Sequence, residues 1–125
     1  MFDVYKVLTV NEWKNALNSG YIETFLDKED GYVHLSTSKQ LALTLNLYFE
    51  EEDSLILLQI NKEKLDTPLV YEAADGNRAG EFPHLYDKLS TEVVSKKWDV
   101  TRSGFRIPDE ILHQIEKGTC CERTI

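Results

Sequence analysis

The chain has 125 residues, 42% of them hydrophobic, and a formal net charge of −8. These values suit one ordinary domain that buries a single core without disulfides or a structural metal. The negative charge argues against a large nucleic-acid surface, because phosphate binding needs clustered lysine and arginine side chains. No apolar run approaches the roughly 18 residues of a membrane helix and no signal-peptide layout occurs, so we expect no membrane partner. The only cysteines, Cys120 and Cys121, are adjacent, which favours a cytoplasmic protein without a disulfide framework.

The first element predicted along the chain is a strand, followed directly by a capped helix. Val4 to Leu8 is a short apolar run, and Thr9 precedes Glu12 with the spacing of a capping box. A helix should therefore run from about Asn11 to Asn18 and stop at Gly20. The side chains of this helix that we expect to face the core are Trp13 and Leu17.

The middle of the chain predicts a second strand and a second helix. Residues 21–30 predict no regular element, Asp30-Gly31 predicts a turn, and Tyr32 to Leu35 predicts the strand. Another capping-box pattern begins at Thr37, so the second helix should start there. The apolar and aromatic side chains that share one face of this helix are Leu41, Leu45, Tyr48 and Phe49.

The second half of the chain alternates strands with short helices. Ser54 to Ile60 is a near-continuous apolar run, as expected for a central strand that is covered on both faces. We further predict one helical turn at Asn61 to Leu65, strands at Leu69 to Glu72 and Val93 to Val100, and a terminal helix from Pro108 to Lys117. This order predicts a single α+β domain with a mixed, largely antiparallel sheet. We place the core domain at residues 1–100 and an appended helix and tail at residues 101–125.

His34 is the first candidate functional residue, because it lies where the second predicted strand ends and the next helix begins. Backbone N–H groups and hydroxyl side chains converge at such a junction, so a phosphate or carboxylate can dock there beside an imidazole. Ser36 and Thr37 follow within three residues, and hydroxyls that do not cap a helix can bind a ribose or a phosphate. The alternative is a histidine that is hydrogen-bonded within the strand and has no further role.

The other candidate residues lie around a glycine-containing loop at residues 73–81. His84 follows Pro83, whose fixed φ restricts the backbone there. The imidazole is then either presented for catalysis or hydrogen-bonded to the backbone in a segment that anchors the loop to the core. Glu72 ends a strand just before the loop, where a carboxylate can stabilise a developing cation. Lys6 and Arg78 can bind an anion if they are not simply solvated. We predict the catalytic residues His34, His84 and Glu72 and the ligand-binding residues Lys6, Ser36, Thr37, Arg78 and Tyr86.

Several standard enzyme signatures are absent from the sequence. It contains no P-loop, no glycine-rich dinucleotide turn, no His-Glu-x-x-His helix and no Gly-x-Ser-x-Gly elbow. We therefore predict no metal site and rank metal-dependent hydrolysis and Rossmann redox chemistry low.

Two sequence blocks resemble those of a known family. They are Asp-Gly-Tyr-Val-His-Leu-Ser-Thr from Asp30 to Thr37 and Phe-Pro-His-Leu-Tyr from Phe82 to Tyr86, with Tyr71-Glu72 between them. Their order and spacing identify the chain as a member of the domain of unknown function 952 (DUF952) family from about residue 3 to residue 98. The family consists of small, mostly bacterial proteins whose biochemical role is not settled, so this resemblance implies a fold rather than an activity.

The layout also resembles, more distantly, the RNA 2′-phosphotransferases, which are relatives of the ADP-ribosyltransferases and bind NAD across two strands. The resemblance puts Tyr5 to Leu8 at the first strand, Val33 to Ser36 at the second and Glu72 near the third element. It implies NAD as a cofactor and an ADP-ribosyltransferase-like fold. Lys6 or Arg78 would then serve the phosphates. The remaining roles implied are the ribose or nicotinamide for His34, their orientation for Ser36 and Thr37, and the cationic transition state for Glu72.

Four functions stay open at this point. They are an NAD-dependent transferase, a module that binds a small anionic metabolite without turnover, a general acid–base hydrolase that uses His34 and His84 as a pair, and a structural or partner-binding protein. A cleft that contains His34, His84 and Glu72 together would favour a ligand site.

Overall fold

The computed structural model describes residues 3–73, 80–102 and 111. These residues form an α+β domain, as the sequence predicts. All of their paired strands are antiparallel, whereas the prediction was a mixed, largely antiparallel sheet. The expected single sheet is instead divided into three small sheets with the orders β1-β4-β8, β2-β7 and β3-β6-β5. The strands and helices are β1 (Val4–Thr9), α1 (Val10–Ser19), β2 (Tyr21–Ile22), α2 (Phe25–Asp30), β3 (Val33–His34), α3 (Leu41–Phe49), β4 (Ser54–Ile60), β5 (Val70–Ala73), β6 (Glu81–Leu85), β7 (Leu89–Ser90) and β8 (Val94–Thr101). Short 3-10 turns lie at Ser38–Gln40, Lys62–Lys64 and Thr91–Val93.

The central strand of the largest sheet is β4, which confirms the prediction from its apolar run. It pairs with β1 on one edge and with β8 on the other. Successive side chains of a strand point to opposite faces, so β4 contributes side chains to two hydrophobic cores. Ile56, Leu58 and Ile60 belong to the core on one face, and Leu55 and Leu57 belong to the core on the other.

The second core lies under α3. Leu41, Leu45 and Phe49 are buried there against Tyr5, and Tyr48 packs partly buried beside them, which confirms the predicted helix face. Ile111, the one described residue of the predicted terminal helix, is helical and is fully buried in the same core.

Helix α1 has the predicted capping box. The backbone N–H of Thr9 donates to Glu12 Oε1 at 2.9 Å, and the N–H of Glu12 donates to Thr9 Oγ1 at 3.2 Å. Gly20 ends the helix at a φ of 86°, a left-handed conformation that glycine adopts without a steric cost. The prediction for Leu17 is wrong, because its side chain is exposed and Ala16 takes the buried position.

The prediction of no regular structure at residues 21–30 is also wrong. The segment holds β2 and the short helix α2, which begins at the capping box of Thr24 and Asp27 and ends at Gly31. The box escapes the usual pattern because its third helical position carries aspartate rather than glutamate or glutamine. A helix of six residues also shows almost no apolar periodicity.

We expect Thr24→Ala and Thr9→Ala each to destabilise the domain by about 1 kcal/mol, since each removes one helix cap. Urea unfolding measures this loss. Because the Thr24 backbone N–H and hydroxyl both bond to Asp27, only Thr24→Ala should also shift the imidazole NMR signals of His34. Equal shifts in the two variants would contradict this coupling.

The smallest elements position the candidate site. β3 pairs with β6 so that His34 lies directly opposite His84, and β5 pairs with the other edge of β6. An isolated bridge joins Tyr5 to Ser36 and ties this sheet to β1. Pairing with β1 therefore positions Ser36, and the β3–β6 pair positions His34 and His84.

Parts of the predicted structure lie outside the described residues. They include Arg78 with its glycine loop, both cysteines, and all of the terminal helix except Ile111. Among the described helices, none has the length and apolar character that crossing a membrane requires. The cytoplasmic location stays a prediction.

Candidate functional site

The two histidines predicted as catalytic, His34 and His84, lie close together in the structure. They face each other across the β3–β6 pair, and their ring centroids are 5.5 Å apart in an edge-on arrangement. Both rings line one cleft. A single small ligand in this cleft can contact both imidazoles.

His34 is anchored through its Nδ1 atom. Nδ1 lies 2.7 Å from Asp27 Oδ1, and the backbone N–H of His34 donates to the same oxygen at 2.9 Å. An ionised carboxylate only accepts hydrogen bonds, so Nδ1 carries a hydrogen in this contact. The second ring nitrogen, Nε2, lies 2.9 Å from Oδ2 of the half-exposed Asp30. A neutral imidazole has one N–H, so only the doubly protonated ring makes both hydrogen bonds.

Asp27 is a buried carboxylate that organises this side of the site. Burial by itself would raise its pKa, but the hydrogen bond from His34 and the charge and hydrogen bond of Lys6 hold the pKa well below its usual range. The Thr24 backbone N–H also donates to Asp27 Oδ2 at 3.0 Å. Asp27 is therefore an anion that fixes the ring orientation and the tautomer of His34.

Lys6 supplies the counter-charge from beneath the site. Its fully buried ammonium lies 2.7 Å from Asp27 Oδ2 and donates to the backbone carbonyl of His34 at 2.8 Å. Burial lowers the pKa of Lys6, and the charge of Asp27 opposes that change. Lys6 does not line the cleft, and its ammonium contacts Asp27 and the His34 carbonyl.

His84 is anchored in the same manner by a different carboxylate. Its Nδ1 lies 2.6 Å from Glu72 Oε1, and the hydroxyl of Tyr86 donates to that oxygen at 2.8 Å. These hydrogen bonds, first that of His84 and then that of Tyr86, lower the pKa of the Glu72 carboxyl. Among the described residues, Nε2 of His84 has no hydrogen-bond partner. Every fully buried side-chain nitrogen or oxygen there does have one, so this Nε2 is not fully buried. The His84 ring lines the cleft, and its Nε2 is therefore open to a ligand there.

An aromatic side chain that the sequence analysis missed holds the two histidines together. The ring of Tyr32 lies between the site residues, with centroid distances of 4.5 Å to His34, 4.2 Å to His84 and 5.0 Å to Tyr86. Tilted ring contacts at these distances restrict the rotation of all the rings involved. Alternation along the strand gives the signal, since Tyr32 precedes His34 by two positions and so shares its face.

The cleft has a volume of about 450 Å³, within the range of small-molecule sites. Ser36 Oγ and Thr44 Oγ1, 2.8 Å apart, form a hydroxyl pair in its wall. The phenol of Tyr48 stays protonated, because burial raises its pKa to about 12. Most of the lining residues are apolar or aromatic, and they come from β1, α2, β3 and its flanking residues, α3, β5 and β6.

The structure therefore separates the predicted site residues into groups. His34, His84 and Ser36 line the cleft, and Glu72 holds His84 from behind. Tyr86 and Thr37 do not line it: Tyr86 holds Glu72, and the Thr37 backbone N–H donates to Gln40 at 3.0 Å within the predicted capping box. Arg78 lies outside the described residues.

A larger depression of about 840 Å³ lies between α1, α2 and β7. It reaches Tyr32, Asp27 and Tyr86 but neither of the histidine rings. We therefore assign the candidate chemistry to the smaller cleft. In the described part of the chain, no group of three or more His, Cys, Asp or Glu side chains is arranged to hold a metal ion.

The Glu72–Tyr86 contact makes a prediction for pH titration. The hydrogen bond to Glu72, with burial and the charge of Glu72 as further causes, raises the pKa of Tyr86. We expect Glu72→Gln to lower that pKa back toward its ordinary value, as measured by NMR titration of labelled tyrosine rings. Tyr71, a half-exposed tyrosine on the same strand as Glu72, is the internal control. An unchanged Tyr86 titration would show that the hydrogen bond does not form in solution.

Comparison with known proteins agrees with the fold and the sequence blocks. The family model described as "Protein of unknown function (DUF952)" matches residues 7–97, so the chain belongs to the DUF952 family. The crystal structure of protein CC0527 from Caulobacter crescentus is 32% identical, covering 87% of this chain and 97% of that chain with a TM-score of 0.74. Its solution NMR structure is 34% identical over 83% of this chain and 90% of that chain, with a TM-score of 0.67. No curated protein matches the chain.

Proposed function

We propose that this protein is a general acid–base enzyme that acts on a small molecule bound between His34 and His84, with hydrolysis as its reaction type. One observation carries the proposal. Each imidazole is anchored at Nδ1 by a carboxylate, and the two rings lie 5.5 Å apart in one cleft. Anchoring one nitrogen leaves the other, Nε2, as the working atom of each ring.

His84 is the base in this proposal. Glu72 holds Nδ1–H at 2.6 Å, so the neutral ring has its lone pair on Nε2, which is open to the cleft. A carboxylate behind a histidine also stabilises the imidazolium that forms when the base takes up a proton. Tyr86 keeps Glu72 in place through its own hydrogen bond.

His34 is the acid in this proposal. Its two ring nitrogens lie within hydrogen-bond distance of the carboxylates of Asp27 and Asp30, and each carboxylate can accept one N–H. Asp27 is buried, whereas Asp30 is half-exposed and able to turn toward water. When it does so, Nε2–H of His34 can donate to a ligand instead.

The proton movements of an ester hydrolysis balance in this arrangement. Nε2 of His84 removes a proton from water as the water oxygen bonds to the carbonyl carbon. Nε2 of His34 gives its proton to the leaving alcohol oxygen as the carbon–oxygen bond breaks. The acid and alcohol leave, and exchange with solvent restores both rings. Each positioned proton transfer contributes about 10²–10⁴ to the rate.

An activated ester, para-nitrophenyl acetate, tests the proposal without a cofactor. We expect the wild type to hydrolyse it with a bell-shaped pH dependence of kcat/KM, because one group must be protonated and the other deprotonated. The matched control is the double variant His34→Gln/His84→Gln. A wild-type rate no higher than that of the double variant would overturn the proposal.

NAD-dependent transfer, with an ADP-ribosyltransferase-like fold, is the second candidate. The observation in its favour is that Glu72 lies in β5, one residue before its end, and contacts His84, where the resemblance expects the residue that serves the cationic transition state. Against it, the Lys6 ammonium is bound to Asp27 rather than available to a pyrophosphate. Titration with NAD, followed by release of nicotinamide, tests this candidate. No binding at millimolar NAD would remove it, and stabilisation without any product would favour a binding module.

A further inference from the structure

We propose that the substrate of this cleft is an amphipathic ester without negative charge, with an aromatic or branched aliphatic group against Leu26 and Leu47 and the ester group at the imidazoles, where hydrolysis releases an alcohol or a phenol. The inference rests on the acid–base function and adds the substrate class to it. Three features of the described residues support it: the apolar wall, the charge around the histidines and the open nitrogen of His84.

The apolar wall consists of two partly exposed leucines that come from different helices. Leu26 of α2 is 43% exposed and Leu47 of α3 is 56% exposed, and both line the cleft beside Phe82. An apolar group bound there removes leucine and ligand surface from water together, which favours binding. The two leucines come from α2 and α3, so an aromatic or branched aliphatic group is large enough to contact both.

The charge around the histidines disfavours an anion. Three carboxylates, those of Asp27, Asp30 and Glu72, contact the two imidazoles, and the one lysine in this network is Lys6. Even with both imidazoles protonated, these six groups together carry no net positive charge. A ligand carboxylate or phosphate would therefore meet carboxylates in the described part of the site without a compensating excess of cations.

The polar end of the ligand is set by hydrogen-bonding capacity. With Nδ1–H held by Glu72, the open Nε2 of neutral His84 accepts a hydrogen bond, first from the attacking water and, after the reaction, from the hydroxyl of the released alcohol. The Ser36–Thr44 hydroxyl pair in the same wall can serve a second polar atom. Phenols and alcohols with an apolar body fit this combination as products of the hydrolysis.

Three para-substituted phenols that carry different charges on otherwise similar short side chains test the proposal as analogues of the released alcohol. They are para-ethylphenol, which is neutral, tyramine, which is cationic, and para-hydroxyphenylpropionate, which is anionic. Dissociation constants come from NMR titration of the His34 and His84 imidazole signals. We expect para-ethylphenol and tyramine to bind about tenfold tighter than the anion, the ratio that a difference of about 1.4 kcal/mol gives.

The leucine contact has a matched control on the same helix. Leu47→Ala should weaken binding of para-ethylphenol roughly 5–10-fold, through partial loss of apolar contact. Leu43→Ala should leave binding unchanged, because Leu43 is 45% exposed on α3 but does not line the cleft.

Each other outcome overturns the substrate class. These are the anion binding most tightly, none of the three phenols binding at millimolar concentration, or equal effects of Leu47→Ala and Leu43→Ala. The ester assay separates this failure from failure of the acid–base function. Histidine-dependent hydrolysis without phenol binding overturns the substrate class alone, whereas phenol binding without such hydrolysis overturns the enzymatic function alone.

Discussion

Replacing Asp27 by asparagine should destabilise the folded domain by roughly 3–5 kcal/mol, because it leaves the Lys6 ammonium buried without its counter-charge. Lys6 and Asp27 are both buried, and their contact is 2.7 Å long. The change also weakens two hydrogen bonds to His34. Urea unfolding at neutral pH measures the loss.

Asp30→Asn is the matched control for this prediction. Asp30 contacts the same histidine, but it is half-exposed and has no contact with Lys6, so its loss should cost at most about 1 kcal/mol. Adding Lys6→Met to Asp27→Asn should recover part of the stability, since the uncompensated charge is then gone. Equal losses for Asp27→Asn and Asp30→Asn would show that the buried ion pair is not important for stability.

The same pair sets the response of the domain to acid. The folded-state pKa of Asp27 is below its usual value, so the folded state releases this proton more readily than the unfolded chain does. The resulting stability is fully present above the unfolded pKa of about 3.9 and is lost as the pH falls from there through the folded pKa. The unfolding free energy of Asp27→Asn should therefore depend less steeply on pH in this acidic window than that of the wild type.

Replacing His84 by glutamine should lower kcat for para-nitrophenyl acetate by about 10²–10⁴, because it removes the proposed base. His34→Gln should cause a loss of similar size if the two rings work as a unit, and the double variant should then be little worse than either single variant. Glu72→Gln leaves the base in place but loosens its orientation. We expect it to cost roughly 10–100-fold, as with the outer partners of other oriented histidines.

Glu29→Gln is a matched control for these kinetic effects. Glu29 is an exposed carboxylate in α2 next to Asp30, so its change tests the effect of net charge without touching the site. It should retain the wild-type rate. Wild-type turnover in a folded His84→Gln protein would exclude His84 as the base.

The elements that the sequence analysis predicted correctly are those whose signal lies within a short stretch of the sequence. The capping box of Thr9 is one such element, and the strand Ser54–Ile60 is another, because its continuous apolar run is sufficient to indicate a buried strand. Helix α2 was missed although its signals are also local. Its cap uses an aspartate, and its length is too short for a periodic pattern.

The histidine blocks could likewise be recognised from sequence, and the family that they indicate is confirmed over residues 7–97. The register that puts His34 opposite His84 was not predictable from them. It depends on how β3 pairs with β6, and neither the turn between strands nor the local pattern specifies that pairing when the strand is two residues long.

Sequence alone determined the α+β class and most helix and strand positions, because caps, turns and apolar periodicity act over a few residues. It also singled out His34 and His84 as candidate site residues. Tertiary structure alone decided what those histidines contact. The sequence predicts that Lys6 is either solvated or binds a ligand. In the structure its side chain is buried against Asp27, which lies 21 positions further along the chain. The burial of a charge is set by the carboxylate that packing brings to it, and no pattern within β1 records that partner.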